Sequence, residues 1–287
     1  MAFTSMSANM ARGRIQRNEM QATDFASFLR RVQMPTVQHL LHASLEPTRD
    51  AIQAVSPVRD PQQWFTLHLI LGTALRLRAP ALPACERAEA YADALHAFEA
   101  ALAECCDRNN ARELRRARVG TNQFSLQVSA CTSGPDGVQM VMDATSVSIA
   151  EGIEKLERAI SVFTDNAESL DRRTELRAWV VARSNLGCAL TMLGQRTHDM
   201  GGLQRIERAI DVLRDAAAAC TGAGLADERA SIHVNLSEAF QALAERGMPS
   251  ERLRHMERSL DWIAQALGHF APEEYRWLLE LDRAAFA

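Results

Sequence analysis

Three blocks of this chain, Leu156-Glu157-Arg158-Ala159-Ile160, Ile206-Glu207-Arg208-Ala209-Ile210 and Met256-Glu257-Arg258-Ser259-Leu260, follow one another at a constant step of 50 residues. A repeat of that length admits few folds, because one such unit cannot bury its apolar face alone and must stack on its neighbours. Each block sits in a seam whose apolar residues alternate steps of three and four: Ile149, Ile153, Leu156, Ile160 and Phe163; Leu203, Ile206, Ile210, Leu213 and Ala217; Leu253, Met256, Leu260, Ile263 and Leu267. That spacing places each set along one face of an α-helix. The period therefore predicts stacked helical hairpins.

The partner helices keep the same step. Asn185-Leu186 recurs as Asn235-Leu236, and Gly72 precedes Ala94 by the same 22 residues that separate Gly187 from Ala209. Asp60-Pro61-Gln62-Gln63 reads as a helix start resembling a capping box. The helix after it carries Trp64, Leu67, Leu71, Ala74 and Leu75, and its partner carries Ala88, Tyr91, Leu95, Phe98 and Leu102. Four hairpins are expected, at about 60–107, 108–170, 172–221 and 227–268, forming one array over 60–270. In the second, the first helix is placed at about Arg108 to Ala130, with Asn122 in the place of Asn185 and Phe124 in the place of the glycine. Thr132-Ser133-Gly134-Pro135-Asp136-Gly137 reads as an interrupting loop.

Residues 1–22 read as a disordered tail, with an export or targeting segment as the alternative. Residues 23–57 read as an N-terminal helical cap, in which one helix stops before Pro47, and 271–287 as a C-terminal capping helix. The fold class is thus all-α.

Composition narrows what such an array does. A net charge of −4 gives no field that would draw nucleic acid or a membrane surface. No apolar run is long enough to span a bilayer. The six cysteines match no zinc spacing and suggest reduced thiols and a cytoplasmic setting. Lys155 is the sole lysine among many arginines, as expected of a GC-rich, bacterial genome.

Asn185-Leu186-Gly187-x-Ala189-Leu190, then Leu193-Gly194 and then Ala209, resembles a tetratricopeptide repeat. The longer period is similar to the extended repeats of kinesin light chains and of many bacterial regulators. The resemblance covers roughly Asp60 to Leu267 and implies a right-handed α-solenoid, with the first helix of each hairpin lining a concave groove. Counted from Gly187, the groove positions would be Val181, Ser184, Asn185, Cys188 and Thr191; then Arg118, Thr121, Asn122 and Ser125; Ser231, Asn235 and Glu238; and Thr66, Leu69, Thr73 and Arg76.

On this frame Asn122, Asn185 and Asn235 form a ladder. An amide offers both a donor and an acceptor, so such a row can hold an extended peptide backbone, or can instead tie neighbouring helices together. Arg118 and Arg76 would add charge-assisted bonds to a carboxylate. Arg108, Arg112 and Arg115 fall at i, i+4 and i+7 of the expected helix, a basic face for an acidic partner or simply a solvated one.

The chain reads as a protein- or peptide-binding adaptor or regulatory subunit holding an extended or acidic segment. A homo-oligomer and a small-molecule sensor or enzyme, with a pocket between the N-terminal helices and the groove, are the alternatives. No catalytic residue, metal ligand or cofactor is assigned. His39, His42 and Glu46 read as an amphipathic surface rather than a metal site, Cys105-Cys106 as core packing, and Gly222-Ala223-Gly224 as a helix stop.

Overall fold

A computed structural model describes residues 45–109, 114–119, 122–127 and 134–270. Among these the chain is helical, with nine α-helices, one 3-10 turn and one two-stranded ribbon. It divides into two compact units, residues 1–109 with 270–287, and residues 110–269. No described helix is long and apolar enough to cross a membrane. Most of the N-terminal cap, including His39 and His42, and the C-terminal cap at 271–287 lie outside the described residues.

In the first unit, α1 (Leu45–Ala54) leads to α2 (Pro61–Arg78), a 3-10 turn (Ala79–Ala81) and α3 (Ala84–Asn109). Pro47 sits in the first turn of α1, where its missing N–H has no intrahelical partner to lose, and the helix expected before it lies outside the described residues. Helix α2 starts at Pro61 as the sequence predicts, but the Asp60 side chain makes no capping bond. From Phe65 to Arg76 only Leu71 escapes full burial, so α2 is enclosed on all sides rather than amphipathic. Helix α3 packs on it and buries Tyr91, Leu95 and Phe98. Arg49 ties α1 to α3 through Asp93 at 3.2 Å while also meeting Glu46 at 2.8 Å.

The second unit opens with an antiparallel ribbon, β1 (Leu114–Val119) and β2 (Asn122–Gln127). Six helices follow: α4 (Gly134–Ala144), α5 (Ile149–Ser169), α6 (Leu176–Arg196), α7 (Met200–Ala219), α8 (Ala226–Arg246) and α9 (Arg252–Phe270). The helix expected over 108–130 is therefore not there. Asn-Gln-Phe-Ser-Leu-Gln alternates polar and apolar residues with the period of a strand, and that local period prevails. The interrupting loop is corrected in turn: Gly134-Pro135-Asp136 starts α4, with proline and an acid in the first turn.

One contact recurs in both units. A Cβ built on Gly72 would come within 3.0 Å of the Phe98 ring; one on Gly137 would meet Phe163, and one on Gly187 would meet Leu213. The step from glycine to large residue is 26 each time. Ala94, Ala159 and Ala209, each 22 residues after its glycine, have no exposed surface. These pairs let the two helices of a hairpin approach until an aromatic or branched side chain seats on bare backbone, and burying each such side chain contributes about 1.5–3 kcal/mol. Gly137, not Phe124, is thus the glycine of the second hairpin.

The fourth hairpin replaces both small residues with serines. Ser237 and Ser259 hydroxyls lie 2.9 Å apart, and Ser259 also donates to the Ser237 carbonyl at 2.8 Å. Polar groups replace a close apolar approach here, and their burial is offset by bonding to each other.

Successive helices of the second unit pack in chain order, α4 on α5, α5 on α6, α6 on α7 and α7 on α8, and α6 also lies directly on α8. Between α7 and α8 the chain turns through Gly222 and Gly224, both at positive φ (75° and 71°), a backbone region that glycine enters without penalty. Trp179 of α6, 9% exposed, is flanked by the guanidiniums of Arg172 and Arg183 at 4.5 and 5.4 Å from the ring. Both arginines also reach Asp215 of α7, which anchors the indole to the next helix.

Candidate functional site

Helices α6 and α8 run side by side and carry the most polar buried surface of the second unit. Along α6, Ser184, Asn185 and Thr191 are 0–3% exposed; along α8, Ser231, Asn235 and Glu238 are equally enclosed. Buried polar groups require partners. The Asn235 amide donates to the Ser184 hydroxyl at 3.2 Å, and the Thr191 hydroxyl turns back to the Gly187 carbonyl at 2.9 Å. Asn185 and Glu238 are likewise engaged in polar or electrostatic interactions.

Further bonds hold the two helices together at both ends. At one, Arg177 meets the largely buried Glu228 carboxylate at 2.5 Å. At the other, Arg246 donates through Nη1 to the Gly194 carbonyl and through Nη2 to the Asp199 carbonyl at 3.5 Å. A Cβ on Gly202 would fall 2.8 Å from Arg246 Nη1. One step earlier Arg196 lies over Gly152, but its buried Nη1 has no hydrogen-bond partner there. Burial lowers the pKa of Arg196 from its usual value.

Strand β2 lies against both α6 and α8. Cys188, one position beyond Gly187, is fully buried in this region and donates weakly to the Met192 sulfur at 3.8 Å. Burial, and next the negative charge of Glu238, push its thiol pKa well above the ordinary range. Cys220, at the end of α7, is pushed up to about 11, first by burial and then by Glu228. Both thiols are free. The site is thus polar, with Glu238 buried between its ends and Glu228 paired at one of them, and carries no reactive thiolate.

The other residues singled out in the sequence are distributed differently from the expectation. Asn122 is the first residue of β2, paired with Val119, and is not a rung between helices. Arg118 stands on β1, as does Arg115. Arg108 belongs to α3 and Arg112 lies outside the described residues, so the three arginines do not share one helical face. Arg76, 3% exposed, is in the last turn of α2 in the first unit. Of the predicted residues, Ser184 and Asn235 are brought into contact, and Asn185, Thr191 and Glu238 are buried on the same two helices.

Reading for motifs missed the Arg246 clasp and the Arg196 placed one step before it. Their signal was present: Gly152 and Gly202, and Arg196 and Arg246, each recur at the 50-residue step. Among the described residues no group of three His, Cys, Asp or Glu side chains is arranged to hold a metal ion.

The chain matches no protein-family model, and no curated protein matches it.

Proposed function

We propose that this protein is a binding adaptor or regulatory subunit, a right-handed solenoid of tetratricopeptide-like hairpins that takes an extended polypeptide segment along α6 and α8. The observation that carries this reading is the buried polar row Ser184, Asn185, Thr191, Ser231, Asn235 and Glu238, with an extended strand laid against the same two helices. Donors and acceptors placed along parallel helices suit a peptide backbone, whose own N–H and C=O groups need partners once they leave water. A cytoplasmic setting belongs to the same proposal and is supported by the free Cys188 and Cys220.

The reading is tested by affinity purification from the source cell, comparing the wild-type chain with Asn185→Ala and Glu238→Gln. Partners retained by the wild type should fall by about tenfold or more in both variants, as expected when a central, desolvated contact is removed. Equal recovery with variants of unchanged thermal stability rejects the site.

A further inference from the structure

We propose that Arg214 of α7 and Arg258 of α9 form an anion-binding site over the ring of Phe240, and that its ligand is a phosphate group. The site lies on α7, α8 and α9 and is independent of the reading of α6 and α8 as a peptide-binding surface.

Two arginine pairs in the same unit carry the inference. At Trp179 the guanidiniums of Arg172 and Arg183 lie 4.5 and 5.4 Å from one ring. Asp215 joins them, with one carboxylate oxygen 3.6 Å from Arg172 and the other 3.3 Å from Arg183. The chain itself supplies the anion of that pair. At Phe240 the guanidiniums of Arg214 and Arg258 lie 5.4 and 5.6 Å from one ring. Here, among the described residues, no carboxylate comes within ion-pair distance of either arginine. Asp215, next to Arg214 in sequence, is committed to the other pair. Two like charges held on one ring repel each other, and an anion that both can reach removes that repulsion.

The surroundings leave such an anion a way in. Phe240 is 1% exposed, whereas Arg214 and Arg258 are exposed, so the arginines cover the ring while their charged ends stay at the surface. His255 of α9, buried, stacks on the same ring with centroids 6.2 Å apart, and its Nδ1 has no hydrogen-bond partner. Burial lowers the pKa of His255, Glu251 opposes the shift, and the charges of Arg254 and Arg258 add to it. Arg254 is paired with Glu251. His255 thus senses the uncompensated charge of Arg258 through space.

The charge of the pair selects the ligand. Guanidinium forks match the oxygens of carboxylates and phosphates alike. Asp215 is tethered beside its pair, whereas a ligand from solution gains no such help and needs the stronger attraction. A phosphate group carries about −1.5 to −2 charge at neutral pH and offers three acceptor oxygens to two forks.

The test follows the arginine Nε–Hε signals of the full chain by NMR while inorganic phosphate is added at constant ionic strength. Arg214 and Arg258 should shift together along one saturable curve. Arg172 and Arg183, whose anion is already in place, should not move. The His255 ring should titrate at higher pH with phosphate bound, because neutralising Arg258 removes one of the charges that depress it. Arg258→Gln, read at Arg214, should weaken binding about tenfold or more, as expected for lost charge-assisted bonds. Arg214→Gln, read at Arg258, is the reciprocal variant if the first does not fold.

A linear drift common to all four arginines, or no shift at all, overturns the proposal on the wild-type chain alone. Acetate that saturates Arg214 and Arg258 at the same concentrations as phosphate overturns the choice of ligand. Two probes then separate the sources of a phosphate group. Tighter binding of a phosphoserine tripeptide flanked by glycines assigns a phosphorylated partner, and binding no tighter than inorganic phosphate assigns the free ion.

Discussion

Asn235 of α8 hands an amide hydrogen to the hydroxyl of Ser184 on α6, 51 residues away in sequence, and neither side chain has any exposed surface. The bond joins equivalent helices of consecutive hairpins, so the polar row is part of how the array is held together. Asn235→Ala and Ser184→Ala should each cost about 1–3 kcal/mol, because each leaves a buried polar group without its partner. The double variant should cost less than the sum of the two. A double-mutant cycle by urea unfolding measures this, and strict additivity would show the bond to be inert.

Gly187→Ala should destabilise by about 1–3 kcal/mol, since its Cβ would overlap the Leu213 side chain. Leu213→Ala in the same chain should recover part of the loss by vacating that volume, leaving the double variant more stable than the sum of the singles predicts. Thermal melts of the four proteins give the comparison. Gly137 against Phe163 should behave in the same way.

The clasp at Arg246 is directed at carbonyl oxygens, not at an acid. Arg246→Ala should cost about 1–2 kcal/mol, in the range for hydrogen bonds to a charged group, and Arg246→Lys should not restore it because an ammonium cannot reproduce the planar fork. Because no counter-charge is involved, the loss should vary little between low and high salt. A penalty that vanishes in high salt would point instead to an ion pair.

Two histidines set a pH dependence. Burial lowers the pKa of His68 below 6.5 against a raising bond to the Trp64 carbonyl. Burial also lowers that of His255, which lies against Phe240, with Glu251 opposing and Arg254 and Arg258 adding to the shift. A histidine held neutral by the fold binds protons more readily when unfolded. Stability is therefore fully present above 6.5 and lost as pH falls through the depressed folded value. His96 is shifted upward by its bond to Glu99, which has the opposite sign, but it is largely exposed and its effect is screened. The combined His68→Leu and His255→Phe chain should show a flatter decline in melting temperature below that pH than the wild type.

The repeat was legible wherever its own seam was intact. Helices α5, α7 and α9 carry their apolar residues on one face, and the 50-residue step located all three. The first helices α2, α6 and α8 of their hairpins are buried nearly all round, so periodicity alone says little there and Gly72, Gly187 and Asn185-Leu186 supplied the frame. The frame failed in the second hairpin, where setting Asn122 in the place of Asn185 put a helix over Arg108 to Ala130, while Gly137, 22 residues before Ala159, marks the helix that exists.

The polar row was partly legible for the same reason. Ser184, Asn185, Thr191, Asn235 and Glu238 follow from counting along α6 and α8. That β2 lies against the same two helices does not, because the approach of a strand to a distant helical surface leaves no spacing in the sequence.

The glycine-to-large-residue step has a consequence for how such a chain can change over time. Each hairpin measures its own internal register by 26 residues, whereas the interval between equivalent glycines is 65 at one join and 50 at the next. Insertions at a join leave every lock closed, and insertions within a hairpin open one. Whole hairpins are therefore the natural units of gain and loss, and the joins are where new sequence can be accepted without re-registering what is already folded.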